Sequence, residues 1–211
     1  NSENAPIIFA DTVNIIISSE MTDEVQKVKF ENRIIETDLL GNYQAKNINT
    51  SLTALEFLKC KQIISISQNA ILNGLKNVRS TTGLMGRFHL ISKNPLIIFD
   101  SAHNEGGLSA LFNQIENTPH NLLHIVIGTV NDKDLSKILP LLPVKAKYYF
   151  CKANIPRGLN AEILKEKATA YNLNGNAYAS VKNAYTAAAD NALVNDLILV
   201  TGSIFVVAEV I

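Results

Sequence analysis

Tryptophan is absent from this chain, cysteine and methionine occur only 2 times each, and 6 prolines are spread thinly through 211 residues. So few cysteines exclude a disulfide-stapled scaffold, and Cys60 and Cys151 are too far apart for a metal-ligand motif. Two core or near-core thiols in a reducing compartment are expected instead. A net charge is missing as well: 19 basic and 19 acidic residues cancel, so no global field draws in a polyanion or an anionic surface. Nucleic acid and membrane are therefore not expected as partners. Long apolar runs are lacking too. Stretches such as Leu96-Ile97-Ile98-Phe99 fall far short of the ~20 residues that span a bilayer, and no basic-then-apolar leader opens the chain. The expected setting is cytoplasmic, where the sequon Asn49-Thr50-Ser51, on a predicted helix, carries no meaning.

What is present suffices for a folded core, since hydrophobic residues make up 47% and charged residues 18%, far from the signature of disorder. From Gly86 onward, strand-like and helix-like segments alternate. Leu108, Leu111, Phe112 and Ile115 share one helical face, as do Val181, Ala184, Tyr185 and Ala188 after the N-cap residue Ser180, and Ile204, Val207, Ala208 and Ile211 at the end. Further helices are expected to start near Asp134 and Asn160. Between them Leu96 to Phe99, Leu122 to Ile127, Tyr148 to Cys151 and Leu197 to Val200 are apolar throughout, the pattern of strands buried on both faces. Regular alternation of this kind predicts an α/β fold: a Rossmann-like, mostly parallel sheet with helices on both faces.

The first eighty residues read differently. Short β-like pieces at Pro6 to Phe9, Val13 to Ile17 and Val28 to Ile35 precede a long helix in which Ile48, Leu52, Leu55 and Leu58 share a face, and a second helix near Gln68 to Leu75. The cluster Ser80-Thr81-Thr82-Gly83 reads as a linker. The expected division is therefore residues 1–80 and 81–211, the first looking like the tail of a larger α/β domain.

One segment concentrates chemistry. Leu96 to Phe99 ends in Asp100-Ser101-Ala102-His103-Asn104, a polar turn that leads into a helix beginning Glu105-Gly106-Gly107. In open α/β sheets ligands bind beyond the carboxyl ends of strands, where Asp100 and His103 emerge. Asp100 there either meets a ligand hydroxyl or cation or caps the helix, and His103 either donates to a phosphate oxygen or fills a polar turn.

Together with its surroundings, this turn resembles the third domain of folylpolyglutamate and dihydrofolate synthases, relatives of the peptidoglycan Mur ligases. Gly86-Arg87, a β segment from Phe88 to Ser92, Pro95, the strand and the Asp100 to Asn104 turn are similar to that family's Gly-Arg, strand and Asp-Gly-Ala-His-Asn-Pro turn, with Ser101 for Gly and Glu105 for Pro as departures. Gly128-Thr129-Val130-Asn131-Asp132-Lys133-Asp134 looks like its Gly-Met-x-x-Asp-Lys-Asp turn. Val200-Thr201-Gly202-Ser203-Ile204-Phe205-Val206-Val207 looks like its final Gly-Ser-Phe-x-x-Val. Upstream, Leu40-Gly41-Asn42-Tyr43-Gln44-Ala45-Lys46-Asn47-Ile48-Asn49-Thr50 resembles the stretch that closes the family's central ATPase domain. Four motifs in the same order are far more specific than one.

The resemblance implies an ATP-dependent amide-forming ligase that adds L-glutamate to dihydropteroate or folate through an acyl phosphate, in one-carbon metabolism, with ATP and Mg2+ as cofactors and a monomeric state. It implies that Asn47, Arg87, Asp100 and His103 face the nucleotide, with Asp100 and His103 in the catalytic crevice; on their own chemistry Lys133, Arg157 and Ser203 are candidate substrate contacts, Arg157 because a guanidinium can hold an amino-acid carboxylate bidentately. Each has a plainer alternative: Arg87 and Asn47 as exposed surface groups, Lys133 balanced by Asp132 and Asp134, Arg157 as part of an ordinary Pro-Arg-Gly loop, and Ser203 as a tight strand-to-helix turn. His89, His120 and His124 show no metal spacing and read as edge or surface residues. The family's P-loop, Gly-x-x-x-x-Gly-Lys-Ser/Thr, occurs nowhere in the chain. The magnesium ligands, folate pocket and modified lysine are thus expected in a larger N-terminal part, and the chain is expected to be an inactive C-terminal fragment. Rivals are a fragment of a peptidoglycan Mur ligase and a non-catalytic Rossmann-like binding module; Gln44 and Asn104 favour the folate enzymes over the first.

Overall fold

The computed structural model describes residues 7–22 and 24–211, and the chain divides into two compact units between Met85 and Gly86. The first unit holds the short helix α1 (Ala10–Val13), strands β1 (Ile16–Met21), β2 (Gln26–Phe30) and β3 (Arg33–Thr37), and helices α2 (Gln44–Cys60), α3 (Gln68–Lys76) and α4 (Val78–Thr82). Its three strands form an antiparallel sheet in the order β1-β2-β3. Side chains in β2 alternate between buried and exposed, which turns Val28 and Phe30 toward Ile35 on β3, Ile48 and Leu52 on α2, and Ile71 on α3. One buried face is what an antiparallel sheet with helices on one side requires.

Several expected boundaries move here. Pro6 lies outside the described residues, and residues 7–9 form no strand; helix α1 follows them. The strand expected at Val13 to Ile17 begins only at Ile16, because Val13 belongs to α1. Val28 to Ile35 is not one piece but a hairpin turning at Glu31-Asn32, with Phe30 opposite Arg33. The Ser80-Thr81-Thr82 run is helical rather than a linker. Both carboxylate oxygens of Asp38 accept backbone amides at its start, from Arg79 at 2.9 Å and Ser80 at 3.0 Å, and the helix stops at Gly83. The cap that makes this helix lies some forty residues upstream, so local composition does not announce it. Cys60, expected near the core, is exposed at the end of α2; Cys151 is buried.

The second unit contains β4 (His89–Lys93), β5 (Leu96–Phe99), α5 (Glu105–Glu116), β6 (Leu123–Ile127), α6 (Leu135–Ile138) with a 3-10 turn after it, β7 (Lys147–Phe150), α7 (Ala161–Thr169), β8 (Gly175–Ala177), α8 (Val181–Asn191), β9 (Leu197–Thr201) and α9 (Ile204–Ala208). They build a six-stranded sheet in the order β4-β5-β9-β6-β7-β8, parallel except for β4, which forms a hairpin with β5. Every residue of β6 and of β9 is buried. Ile198, Val200, Val126 and Tyr149 face a cluster with Val181, Ala184 and Ala188 of α8 and Val206 and Val207 of α9. The alternate residues Leu197, Leu199, Ile125 and Tyr148 are equally buried, as are Leu108, Leu111, Phe112 and Ile115 of α5 and Leu164 and Ala168 of α7. This is the Rossmann-like architecture expected. Strand β8 carries no apolar run and was not expected; it pairs with β7 through its backbone. On α9 the expected face holds only at Val207: Ile204, Ala208 and Ile211 are exposed, and Val206 is buried beside Val207. A helix of five residues is too short for a periodic stripe to govern it, so the approach of the sheet decides.

His124, expected at an edge or surface, is fully buried on β6. Its Nε2 lies 3.3 Å from Asp196 Oδ2 and its Nδ1 2.9 Å from the Tyr149 hydroxyl. Asp196 also accepts the amides of Leu193 and Leu122, which ties the amino ends of β6 and β9 together. No helix among the described residues is long and apolar enough to cross a membrane.

Candidate functional site

Four loops leave the carboxyl ends of β5, β9, β6 and β7, and backbone contacts weld each to the next. The carbonyl of Ala102, after β5, accepts the amide of Gly202 at 3.0 Å and the Thr201 hydroxyl at 3.3 Å. Gly202 has φ +95°, and a Cβ there would lie 2.5 Å from the carbonyl of Gly128, so only glycine lets the β9 and β6 loops meet. Beyond β6, Leu159 donates to the Thr129 carbonyl at 2.8 Å and Asn131 to the Arg157 carbonyl at 2.8 Å. The helix after β9 descends over the α8 face, and the buried residues of α5 and α7 lie outside that cluster. Neighbouring loops that part toward opposite faces leave a crevice at the strand ends, the usual ligand position in such sheets.

Asp100 ends β5 and is almost fully buried. Its Oδ2 accepts the amide of Phe88 at 2.7 Å and its Oδ1 that of Ala102 at 2.8 Å. Phe88 sits at φ +47°, a conformation costing on the order of 1 kcal/mol or more for a bulky residue. The bond to Asp100 and the burial of its ring hold it there. Asp100 thus fastens the Gly86-Arg87-Phe88 segment to the strand end. It does not cap the helix, a task that falls to Asn104, and a carboxylate engaged in this way bears on stability. Ser101 adds to the clamp: its amide and its hydroxyl both donate to the Gly86 carbonyl at 3.0 Å. A glycine at this position would have no hydroxyl to offer.

His103 is exposed at the mouth of the same turn, its Nδ1 3.0 Å from the Ser101 carbonyl. A carbonyl only accepts, so Nδ1 carries a proton, which leaves Nε2 as the acceptor whenever the ring is neutral. Asn104 caps α5 by accepting the amide of Gly107 at 2.8 Å, and Glu105 lies exposed in the first turn. Arg87 is exposed, with one guanidinium N–H donating to the Gly86 carbonyl at 3.2 Å.

Ser203 is buried and caps α9 by accepting the amide of Phe205 at 3.2 Å, which leaves its own O–H as a donor. Arg157 is exposed on the loop after β7, its guanidinium carbon 5.1 Å from the centre of the Phe205 ring. Lys133 is half-buried on the loop after β6. The neighbouring Asp134 turns to Ser136, accepting its amide and its hydroxyl; the hydroxyl bond above all holds the Asp134 carboxyl below the usual range. The second unit therefore brings Asp100, His103, Ser203, Lys133 and Arg157, with Arg87 clamped behind Asp100, to the carboxyl ends of its strands. Asn47 belongs to the first unit, exposed on α2, its amide donating to Gln44 Oε1 at 2.8 Å. Reasoning from the sequence missed the clamp made by Ser101, Gly86 and Phe88, because its partners are 12 to 15 residues apart and no local pattern joins them. Among the described residues no three of His, Cys, Asp or Glu are placed to hold a metal ion.

Residues 86–204 match the Mur ligase, glutamate ligase domain. The chain is 32% identical over 179 residues to a probable bifunctional folylpolyglutamate synthase/dihydropteroate synthase of Haloferax volcanii, covering 83% of this chain and 20% of that protein. It is 35% identical over 160 residues to the dihydrofolate synthase/folylpolyglutamate synthase of Escherichia coli, covering 75% of this chain and 36% of the relative. Its fold aligns with Escherichia coli FolC solved in complex with DHPP and ADP at a TM-score of 0.70 and 29% identity, over 91% of this chain and 44% of that one. The chain thus spans less than half the length of these relatives.

Proposed function

The chain belongs to the Mur ligase family through its glutamate ligase domain, and from that premise we propose that it is the C-terminal part of an ATP-dependent ligase joining L-glutamate to a dihydropteroate or folate carboxylate. What supports this reading is the set of loops at the carboxyl ends of the strands, fixed to one another by main-chain contacts, that carry His103, Lys133, Arg157 and Ser203. In the reaction class, the γ-phosphoryl of ATP passes to the carboxylate, and the amine of glutamate then displaces phosphate to form the amide. Catalysis of such a step is chiefly positioning and charge neutralisation.

The residues divide that work by chemistry. Arg87 and Asn47 contact the nucleotide, one by a planar cation and the other by an amide. Asp100 keeps Arg87 in place through Phe88. His103 offers Nε2 to the incoming amine or, when protonated, a donor to a phosphate oxygen. Arg157 and Lys133 supply two cations for the two carboxylates of glutamate, and the Ser203 O–H a directional donor. Magnesium would neutralise phosphate charge, and no residue of this chain is assigned to it. The division into residues 1–80, as the end of an ATPase domain, and 81–211, as the ligase domain, belongs to the same reading, as do a cytoplasmic setting and a monomeric state.

The test joins this chain to a phosphate-loop-bearing N-terminal half and follows glutamate-dependent ADP release. His103→Ala should slow it about 10²-fold, roughly 2.7 kcal/mol of barrier, with the thermal midpoint moved by only a few degrees. Normal turnover by the variant would remove His103 from the site. The chain alone should bind Mg-ATP weakly. A dissociation constant in the low micromolar range, about −8 kcal/mol, would place the principal nucleotide site here instead.

A further inference from the structure

The loop that carries Arg157 is held from several sides, and two of the holds come from α9 and the Glu209 that caps its end. Ile155 to Gly158 form a turn in which the Gly158 amide donates to the Ile155 carbonyl at 3.0 Å. Pro156, second in the turn, has the fixed φ that this position favours, and Arg157 follows it. A Cβ on Gly158 would lie 2.6 Å from the Ala153 carbonyl, so the loop closes on itself more tightly than any other residue permits. Its outer edge is pinned by the bridge between Val130 and Gly158 and by the Asn131 amide on the Arg157 carbonyl. At its entrance, the Asn154 amide donates to Glu209 Oε1 at 2.6 Å, a charge-assisted bond stronger than a neutral one. The Phe205 ring lies against the Arg157 guanidinium and is itself packed on the core cluster beneath the sheet's α8 face.

These contacts leave little for a ligand to organise. The backbone of Arg157 is fixed, and its guanidinium carbon lies 5.1 Å from the centre of an aromatic ring, within reach of cation–π attraction. The in-plane N–H fork stays available, which is the geometry a carboxylate accepts. Ordering a long flexible side chain then costs free energy during folding rather than during binding. The geometry points to Phe205 and Glu209 as positioning residues that preset Arg157 to receive a carboxylate of an acidic amino acid. This inference rests on the reading of Arg157 given under the proposed function. It adds that the short helix bearing Ser203 at its start also steers the cation on the opposite loop, so both sides of the amino-acid site depend on α9.

In the isotope-labelled chain, the Arg157 Nε–H and δ-methylene resonances should lie upfield of their random-coil positions, because they sit in the ring current of Phe205, and should move when L-glutamate is added. Phe205→Leu and Glu209→Ala should each weaken L-glutamate binding about tenfold, the first also returning the Arg157 resonances toward random coil. Phe205→Tyr and Glu209→Gln, which keep the ring and the acceptor, should bring the affinity back to within about twofold of the parent. The remaining amide spectrum reports that each variant is folded. Equal affinity in Phe205→Leu, Glu209→Ala and the parent overturns the positioning role. A parent whose Arg157 resonances are upfield, and lose that shift with Phe205, yet ignore L-glutamate overturns the carboxylate reading beneath it, and the proposal with it.

Discussion

Strand β2 of the first unit alternates between buried and exposed side chains from Gln26 to Phe30, whereas β6 and β9 of the second are buried at every position. The difference extends to charge. In the first unit Glu36 meets Lys27 at 3.4 Å and Lys76 at 3.1 Å in solvent. In the second, His124, Tyr149 and Asp196 meet out of water. It extends to apolar surface as well, since Ile15, Ile17 and Ile34 of the first unit are more than half exposed. A sheet covered on both faces makes polar groups strict, because each must find a partner inside; a sheet covered on one face can leave them to water.

Two aspartates give the sharpest contrast. Asp100 and Asp38 each accept two backbone amides, but Asp100 does so in the interior and Asp38 at a half-exposed helix start. Asp100→Ala strands buried donors at about 1–3 kcal/mol each and should cost about 3 kcal/mol in all. Asp38→Ala should cost about 1 kcal/mol, the usual worth of a cap. Amide hydrogen exchange, read separately in Gly86–Ile211 and in the residues before it, measures both. Equal losses would break the comparison.

A smaller effect is expected from acid. Burial, more than any other influence, pushes the His124 pKa below its ordinary value, against the opposing pull of Asp196. The unfolded chain therefore takes up a proton near pH 6.5 that the folded chain refuses, so stability should fall as pH drops below about 6.5 toward the depressed folded value. Asp196, whose burial is outweighed by its bonds from Leu193, His124 and Leu122, sits below the usual carboxylate range and adds a further loss only in stronger acid. Reactivity of the buried Cys151 thiol reports opening of this unit. Between pH 7 and 5 the parent should become easier to label under mild denaturant, and His124→Gln should show a flatter profile. A parent with no pH dependence in that window would show that His124 titrates alike in the folded and the unfolded chain.

The smallest effect belongs to Glu36. Hydrogen bonds from Lys76 and then Lys27 hold its carboxyl below the usual range, so what it contributes is present at neutral pH and is lost as pH falls through its folded value. Because the pair is solvent-exposed, about 0.5 M salt should erase that pH dependence. The His124 effect should persist under the same salt, and sensitivity of both would remove the distinction between the units.

Much of the second unit was legible because its signals are local. Apolar runs marked β5, β6, β7 and β9, and the N-cap residues Ser180, Asn160 and Asp134 marked the helices that follow them. The chemistry-bearing loops could be placed because parallel strands all point their carboxyl ends one way. The first unit was less legible. The hairpin at Glu31-Asn32 carries none of the glycine-containing turn pairs that announce one, and α4 depends on a cap from Asp38.

By itself, then, the order of residues determined the alternation of strand and helix after Gly86, the set of polar loops, and the likeness to a ligase domain. Each follows from periodicity or from residues adjacent in the chain. Tertiary structure alone decided that Asp100 faces inward to Phe88 and Ala102, that His124 is buried against Asp196, that α9 buries Val206 and Val207 rather than Ile204, and that Phe205 and Glu209 brace the Arg157 loop. These contacts join residues 12 to 72 apart in the chain where they concern Asp100 and His124 with their distant partners. Burial and hydrogen bonding are settled by which surfaces meet, and a local pattern holds no record of that.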